Sequence, residues 1–126
     1  MEKKVYQPSE TTPLSRAVFY NGLWYVSGQV GVDPATGKVA EGDVAAQTAQ
    51  TLENIKQILE EVGSSLDRVI KTTVFLTDVV KDFQTMNEVY RRYFPKDPPA
   101  RSTIGVAALA RPELLVEIEC IAGPKE

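Results

Sequence analysis

The alternation of apolar and polar positions divides the chain into strands and helices before any chemistry is considered. Residues 16–20 and 23–29 are rich in aromatic and β-branched side chains and are joined by Asn21-Gly22. Asn-Gly between two such runs predicts a hairpin, because the favoured two-residue turn needs positive φ at both central positions. Asp33-Pro34-Ala35-Thr36-Gly37 reads as a second turn. The spacing then becomes helical. Ala45, Ala49, Leu52, Ile55, Leu59 and Val62 fall on one stripe, with Asp43 as N-cap and Gly63 as terminator. Residues 68–77 predict a strand. Phe83, Met86, Tyr90, Tyr93 and Phe94 mark the core face of a second helix, which Pro95 stops. Residues 96–99 form a stiff connector, and residues 101–109 and 114–122 read as two final strands.

Strand, strand, helix, strand, helix, strand, strand predicts one α+β domain over residues 1–126, with both helices on one face of a sheet. The pleat then assigns side chains to faces. Ile104, Val106 and Ala108 suit the helix-covered core, which turns Arg101, Thr103, Gly105 and Leu109 the other way. Val116, Ile118, Cys120 and Ala122 also suit the core, which turns Leu115, Glu117, Glu119 and Ile121 outward. In the middle strand Ile70, Thr72, Val74 and Leu76 oppose Lys71, Thr73 and Phe75. A second face mixing large apolar residues with Arg, Lys, Glu and Thr fits a subunit interface containing polar pockets.

Composition narrows the chemistry. With 126 residues, 43% hydrophobic and 25% charged, the chain can bury a core without metal or disulfide. Its single cysteine, Cys120, forms no internal disulfide and suits a reducing compartment. No run approaches the roughly 20 apolar residues of a membrane span, and the N-terminal charges precede no apolar stretch, so a cytoplasmic protein is expected. A formal charge of −3 and scattered basic residues argue against a nucleic-acid partner. The chain contains no histidine. That removes Ser-His-Asp and Cys-His catalysis, histidine acid–base chemistry and most catalytic zinc sites. No phosphate-cradling glycine motif is found either.

Arg101 follows Pro98-Pro99-Ala100, so its launch point is restrained, and its planar fork suits a small carboxylate. A structural ion pair with Glu117 or Glu119 is the commoner use of such an arginine. Glu117 and Glu119 share a strand face and could divide acid and base roles, or simply be solvated. Ser27-Gly28-Gln29 ends a strand, where the glycine allows close ligand approach or serves a bulge. Asn87, among apolar helix positions, holds a loop or a ligand. Cys120 reads as a small core residue, and Tyr20, Trp24 and Tyr25 as packing.

Ser27-Gly28-Gln29, Asp43-Val44-Ala45-Ala46-Gln47-Thr48, Lys71-Thr72-Thr73-Val74-Phe75-Leu76, Pro99-Ala100-Arg101-Ser102 and Val116-Glu117-Ile118-Glu119 occur in that order. Together they resemble the signatures of the Rid (reactive intermediate deaminase) family, also called the L-PSP endoribonuclease family. The resemblance implies a chorismate-mutase-like α+β fold and a homotrimer whose sheets form a central β-barrel, with ligand clefts between subunits. It further implies cofactor-independent hydrolysis of 2-imino acids and their enamine tautomers to 2-keto acids and ammonia. By the same resemblance Arg101 would clamp the substrate carboxylate and Glu117 position the attacking water. Asn87, Ser27, Gly28 and Thr103 would line the cleft. Leu14 stands where the well-studied deaminases carry a cleft tyrosine, and Thr103 where some members carry cysteine. The loop around Pro112 is about one residue longer than usual, which with the Pro-Leu segment looks somewhat like the branch acting on aminoacrylate. The rival readings are a non-catalytic small-molecule-binding or chaperone-like trimer and, disfavoured by the missing histidine and the acidic balance, a ribonuclease.

Overall fold

Asn21 and Gly22 both take positive φ, 50° and 86°, and turn strand β2 (Ser15–Tyr20) directly into β3 (Leu23–Val30). This is the two-residue hairpin geometry expected of Asn-Gly. A computed structural model describes residues 1–124 and continues with helix α1 (Val44–Glu61), a 3₁₀ turn at Leu66–Arg68 and strand β4 (Val69–Leu76). Helix α2 (Val79–Tyr93) and strands β5 (Ala100–Gly105) and β6 (Val116–Ala122) complete the sequence-predicted elements. A strand absent from the sequence reading, β1 (Lys4–Pro8), precedes them and pairs antiparallel with β2. Its KVYQP run is largely exposed and lacks a clean apolar alternation, so periodicity gave no signal for it.

The six strands form one mixed sheet in the order β1-β2-β3-β6-β4-β5. Only β4 and β5 run parallel, joined by α2 as the crossover that a parallel pair requires. Side-chain carboxylates start both helices: Asp43 accepts from the Ala45 amide and Asp78 from that of Lys81. Gly63, at φ 81°, follows α1 in the left-handed conformation. Leu52, Ile55, Leu59 and Met86 from the helices pack on Val74, Leu76, Val116 and Ile118 from the central strands, all essentially inaccessible.

The pleat corrects three face assignments. Ile70, expected in the core, is 52% exposed, because the β4/β6 register shifts between Val69 and Lys71 and reverses the parity there. Ile104, also expected in the core, is 44% exposed, and β5 ends at Gly105, so Val106, Ala108 and Leu109 lie outside the strand. The buried face of α1 is centred on Val44, Thr48, Thr51, Leu52, Ile55 and Leu59 rather than on the alanines, and Ala45, Ala49 and Val62 are only half-buried.

That buried face contains polar groups with specific partners. The Gln47 amide donates to Glu113 O and accepts from the Leu115 amide, fixing the segment that enters β6. Asn54 donates to the carbonyls of Val30 and Val32, holding the chain as it leaves β3. Gly31 lets α1 approach that point, since a Cβ there would press on the Gln47 backbone at 2.8 Å. Asn54→Ala should leave these carbonyls short of a donor. It is expected to cost about 1–3 kcal/mol, read as a lower urea midpoint at unchanged slope and equal protein concentration.

Candidate functional site

The parallel register of β4 and β5 decides where the candidate cation points. Arg101 is the Cα partner of Thr72 and Thr103 that of Val74, and both β4 residues are buried under the helices. Arg101 and Thr103 therefore lie on the helix-covered side, not on the opposite face to which alternation within an over-long strand assigned them. β5 is the edge strand, and α2 covers it only in part, which leaves a cavity of about 300 Å³. Asn87, Tyr90, Arg91, Phe94, Pro98, Pro99 and Arg101 line it, with no acidic side chain among them.

Within the cavity the Arg101 guanidinium carbon lies 4.8 Å from the centroid of the Tyr90 ring and 5.8 Å from that of Phe83. Phe83, expected in the core, is 38% exposed and serves instead as the outer side of this seat. Arg101 forms no ion pair with Glu117 or Glu119, which excludes the structural salt bridge among the described residues. Two neighbouring polar atoms are buried without hydrogen-bond partners, Asn87 Oδ1 and Thr103 Oγ1. Asn87 thus holds no loop through that oxygen. An unmet buried polar atom costs about 1–3 kcal/mol in a finished structure, so the Asn87 oxygen is free to accept, and the Thr103 hydroxyl to accept or donate.

Glu117 occupies the other face of the sheet, between the buried Val116 and Ile118 on β6. Its carboxylate rests over Gly28, where any Cβ would collide with Glu117 Oε2. The β3/β6 register shifts between Val26 and Gln29, so Gly28 serves both the bulge and the close approach considered from sequence. Burial raises the Glu117 pKa above its ordinary 4.5, and the neighbouring Glu119 charge raises it further. Leu14, Arg16, Ser27, Gly28 and Gln29 line a cleft of about 340 Å³ together with the end of β1 and the loop after it. Ser27 Oγ donates to Ser15 O at 2.6 Å, so this hydroxyl also ties β3 to β2.

The chosen residues thus form two groups: Arg101, Thr103 and Asn87 under α2, and Glu117, Gly28, Ser27 and Leu14 across the sheet. One copy does not bring them together. Cys120 is buried, and burial pushes its thiol up to about 12, with Glu119 adding to the effect, which fits the core role. Tyr20 and Tyr25 are each 44% exposed, whereas Trp24 packs at the core margin against Phe19. A further hollow of about 590 Å³ lies between α1 and the Asp33–Ala35 turn and contains none of the chosen residues. Among the described residues no group of His, Cys, Asp or Glu is disposed to hold a metal, and no helix is long and apolar enough to cross a membrane.

Sequence reasoning missed the aromatic seat. Phe83, Asn87, Tyr90 and Phe94 follow the 4-3-4 spacing of a single helix face, and the polar Asn87 inside that aromatic stripe was the available signal. In the folded chain the Glu117 carboxyl should titrate above the ordinary carboxylate range, and Glu119→Gln should move it down. Site-resolved carbon NMR across pH 3–8 checks the direction; an unmoved Glu117 would remove Glu119 as a cause.

Comparison with known proteins identifies the family and the fold. Residues 5–123 match the family described as Endoribonuclease L-PSP. A human 2-iminobutanoate/2-iminopropanoate deaminase is 42% identical over 91% of this chain and 82% of its own length. A solved Thermotoga maritima structure superposes with a TM-score of 0.89 at 43% identity, over the whole of both chains. RidA from an Antarctic Psychrobacter gives 0.84 at 42% identity over 92% of each chain. With nearly its entire length matched, and with Arg101 and Glu117 standing in the motifs that suggested the likeness, the chain belongs to the L-PSP endoribonuclease family, the Rid family of reactive intermediate deaminases.

Proposed function

We propose that this protein hydrolyses reactive 2-imino acids, such as the 2-iminopropanoate formed from 2-aminoacrylate, to 2-keto acids and ammonia. The observation that supports the reading is the presence of two incomplete half-sites on opposite faces of the sheet. One presents an arginine fork with no acid beside it; the other presents a carboxylate whose pKa is raised by burial. The names borne by relatives at 42–45% identity support this chemistry, among them the human and mouse 2-iminobutanoate/2-iminopropanoate deaminases and a plant Reactive Intermediate Deaminase A.

The two halves come together if a second copy supplies one of them, and a cyclic trimer gives three such clefts. The open sheet face suits this assembly. It exposes Tyr25 and Ile104 among Lys71, Thr73 and Glu119, and a hollow of about 290 Å³ lies between Tyr25, Lys71 and Glu119. In the shared cleft Arg101 grips the substrate carboxylate bidentately. Water adds to the electrophilic imine carbon while its proton passes to Glu117. Glu117 returns that proton to the nitrogen, giving a carbinolamine. As its hydroxyl proton also passes to nitrogen the C–N bond breaks, the carbonyl forms, and nitrogen leaves as ammonia carrying both of the water's protons. Imines hydrolyse in water unaided, so orientation and charge placement suffice and neither histidine nor a cofactor is required. Leu14 lines the cleft that includes Gly28, over which the Glu117 carboxylate rests, with an apolar side chain, which favours a small, uncharged substrate tail.

Arg101→Ala is expected to lower kcat/KM for freshly generated 2-iminopropanoate by about 30- to 5,000-fold, with Arg101→Lys recovering only part because an ammonium lacks the fork. A trimeric, folded Arg101→Ala protein with undiminished hydrolysis would defeat the proposal. Glu117→Gln is expected to reduce kcat with little change in 2-oxobutanoate binding, and to abolish an acid limb that in the wild type lies above the ordinary carboxylate range. A wild-type limb at or below pH 4.5 would exclude Glu117 as the base. Light scattering at micromolar concentration should give the mass of three chains; a stable monomer would refute the shared cleft.

A further inference from the structure

We infer that Tyr90, anchored through Thr72, is a positioning residue that seats the Arg101 guanidinium over its ring and leaves its N–H groups free for a carboxylate. The inference rests on the role proposed for Arg101 and adds the means by which that role is prepared. Thr72 and Arg101 are partners across the β4/β5 pair, so their side chains leave the sheet at the same level and on the same side. Thr72 Oγ1 and Tyr90 Oη are hydrogen-bonded at 2.7 Å, and both residues are buried. The bond ties the α2 ring to the strand adjacent to Arg101. The ring then meets the guanidinium at 4.8 Å, while Phe83, seven residues earlier on the same helix, approaches it at 5.8 Å. Burial raises the Tyr90 pKa above 10, so the hydroxyl keeps its proton, and its bond to Thr72 persists, throughout the neutral range.

The chemistry of the seat differs from that of an ion pair. A carboxylate partner would occupy the same N–H groups that the substrate needs and would have to be displaced. An aromatic face attracts the cation through its quadrupole and takes none of those donors. The cavity lining contains no acid, in keeping with this division. The seat also immobilises a side chain with many rotamers before the substrate arrives, which reduces the ordering that binding must achieve.

The test measures KM and kcat for 2-iminopropanoate and the affinity for 2-oxobutanoate in the assembled protein. The variants are Tyr90→Phe, Tyr90→Leu, Phe83→Leu and Arg101→Ala, with Tyr90→Leu and Phe83→Leu also combined with Arg101→Ala. Tyr90→Leu is expected to weaken 2-oxobutanoate binding and raise KM on the order of tenfold, with a smaller change in kcat. Tyr90→Phe, which keeps the ring and frees it from Thr72, should lose about threefold, and Phe83→Leu about twofold. In the presence of Arg101→Ala, the Tyr90→Leu loss should vanish, because the ring acts through the guanidinium. Equal losses with and without Arg101→Ala would overturn the inference and make Tyr90 a purely structural residue. If Tyr90→Leu does not fold, the same cycle with Phe83→Leu, at a more exposed position, decides the matter. A wild-type protein that binds no 2-oxobutanoate and hydrolyses no imine would overturn the functional reading and this inference with it. A competent wild type matched by Tyr90→Leu would overturn the seat alone.

Discussion

Strand β4 sits between an antiparallel neighbour, β6, and a parallel one, β5, and its two registers fix the faces of Arg101, Thr103 and Glu117. Thr72 is level with Cys120 on one side and Arg101 on the other, all three on the helix-covered face. Phe75 is level with Glu117 and Ile104, all three on the open face. A slip of one residue in either pairing would move the arginine or the glutamate through the sheet, because the side-chain period is two. The α2 crossover makes the β4/β5 pair parallel, and it also brings Phe83 and Tyr90 over the strand they seat. Connection, register and cation position are therefore one constraint, and the division of the site between two faces follows from it.

The same constraint explains the polar residues on the buried face of α1. The helix must lie close to the end of β3, which Gly31 permits, and the backbone groups freed there need partners. Asn54 meets two carbonyls at the exit from β3, and Gln47 meets an amide and a carbonyl at the entry to β6. Both strands contribute to the Glu117 half, Gly28 from one and Glu117 from the other. Holding their ends against α1 keeps the β3/β6 bulge, and thus the gap that receives the carboxylate, in place.

Local rules made most of the fold legible. Asn21-Gly22, Asp43, Gly63 and Pro95 each act within a few residues, and each marks the boundary or turn it was read to mark. The sheet faces were less legible, since parity depends on where pairing begins and on single-residue shifts. Ile70 reversed through a bulge, and Arg101, Thr103 and Ile104 together through a parallel register that no local pattern encodes. The N-terminal strand was silent because its stabilisation comes from pairing with β2 rather than from a buried face. Glu117 was placed correctly because Val116 and Ile118 flank it in a central strand with strict alternation. Tyr90 was read as core, which it is; its contact with a charged group required knowing which way the neighbouring strand faced.

In the proposed mechanism the proton acceptor of a chain without histidine is a carboxyl group, and the position of Glu117 suits it to that role. Desolvation and the nearby Glu119 both favour its protonated form, so its basicity exceeds that of a free carboxylate. The effect would be cancelled if the substrate-binding cation lay beside it within the same chain, because an adjacent guanidinium stabilises the ionised form. Separating the two groups across the sheet avoids that pairing in the free subunit and gives the arginine an aromatic partner in place of an acidic one. In the proposed cleft they meet with substrate between them, the carboxylate of the imino acid facing Arg101 and the imine carbon facing the water held by Glu117. Charge neutralisation of the cation then falls to the substrate, and the carboxyl remains basic enough to accept a proton from water.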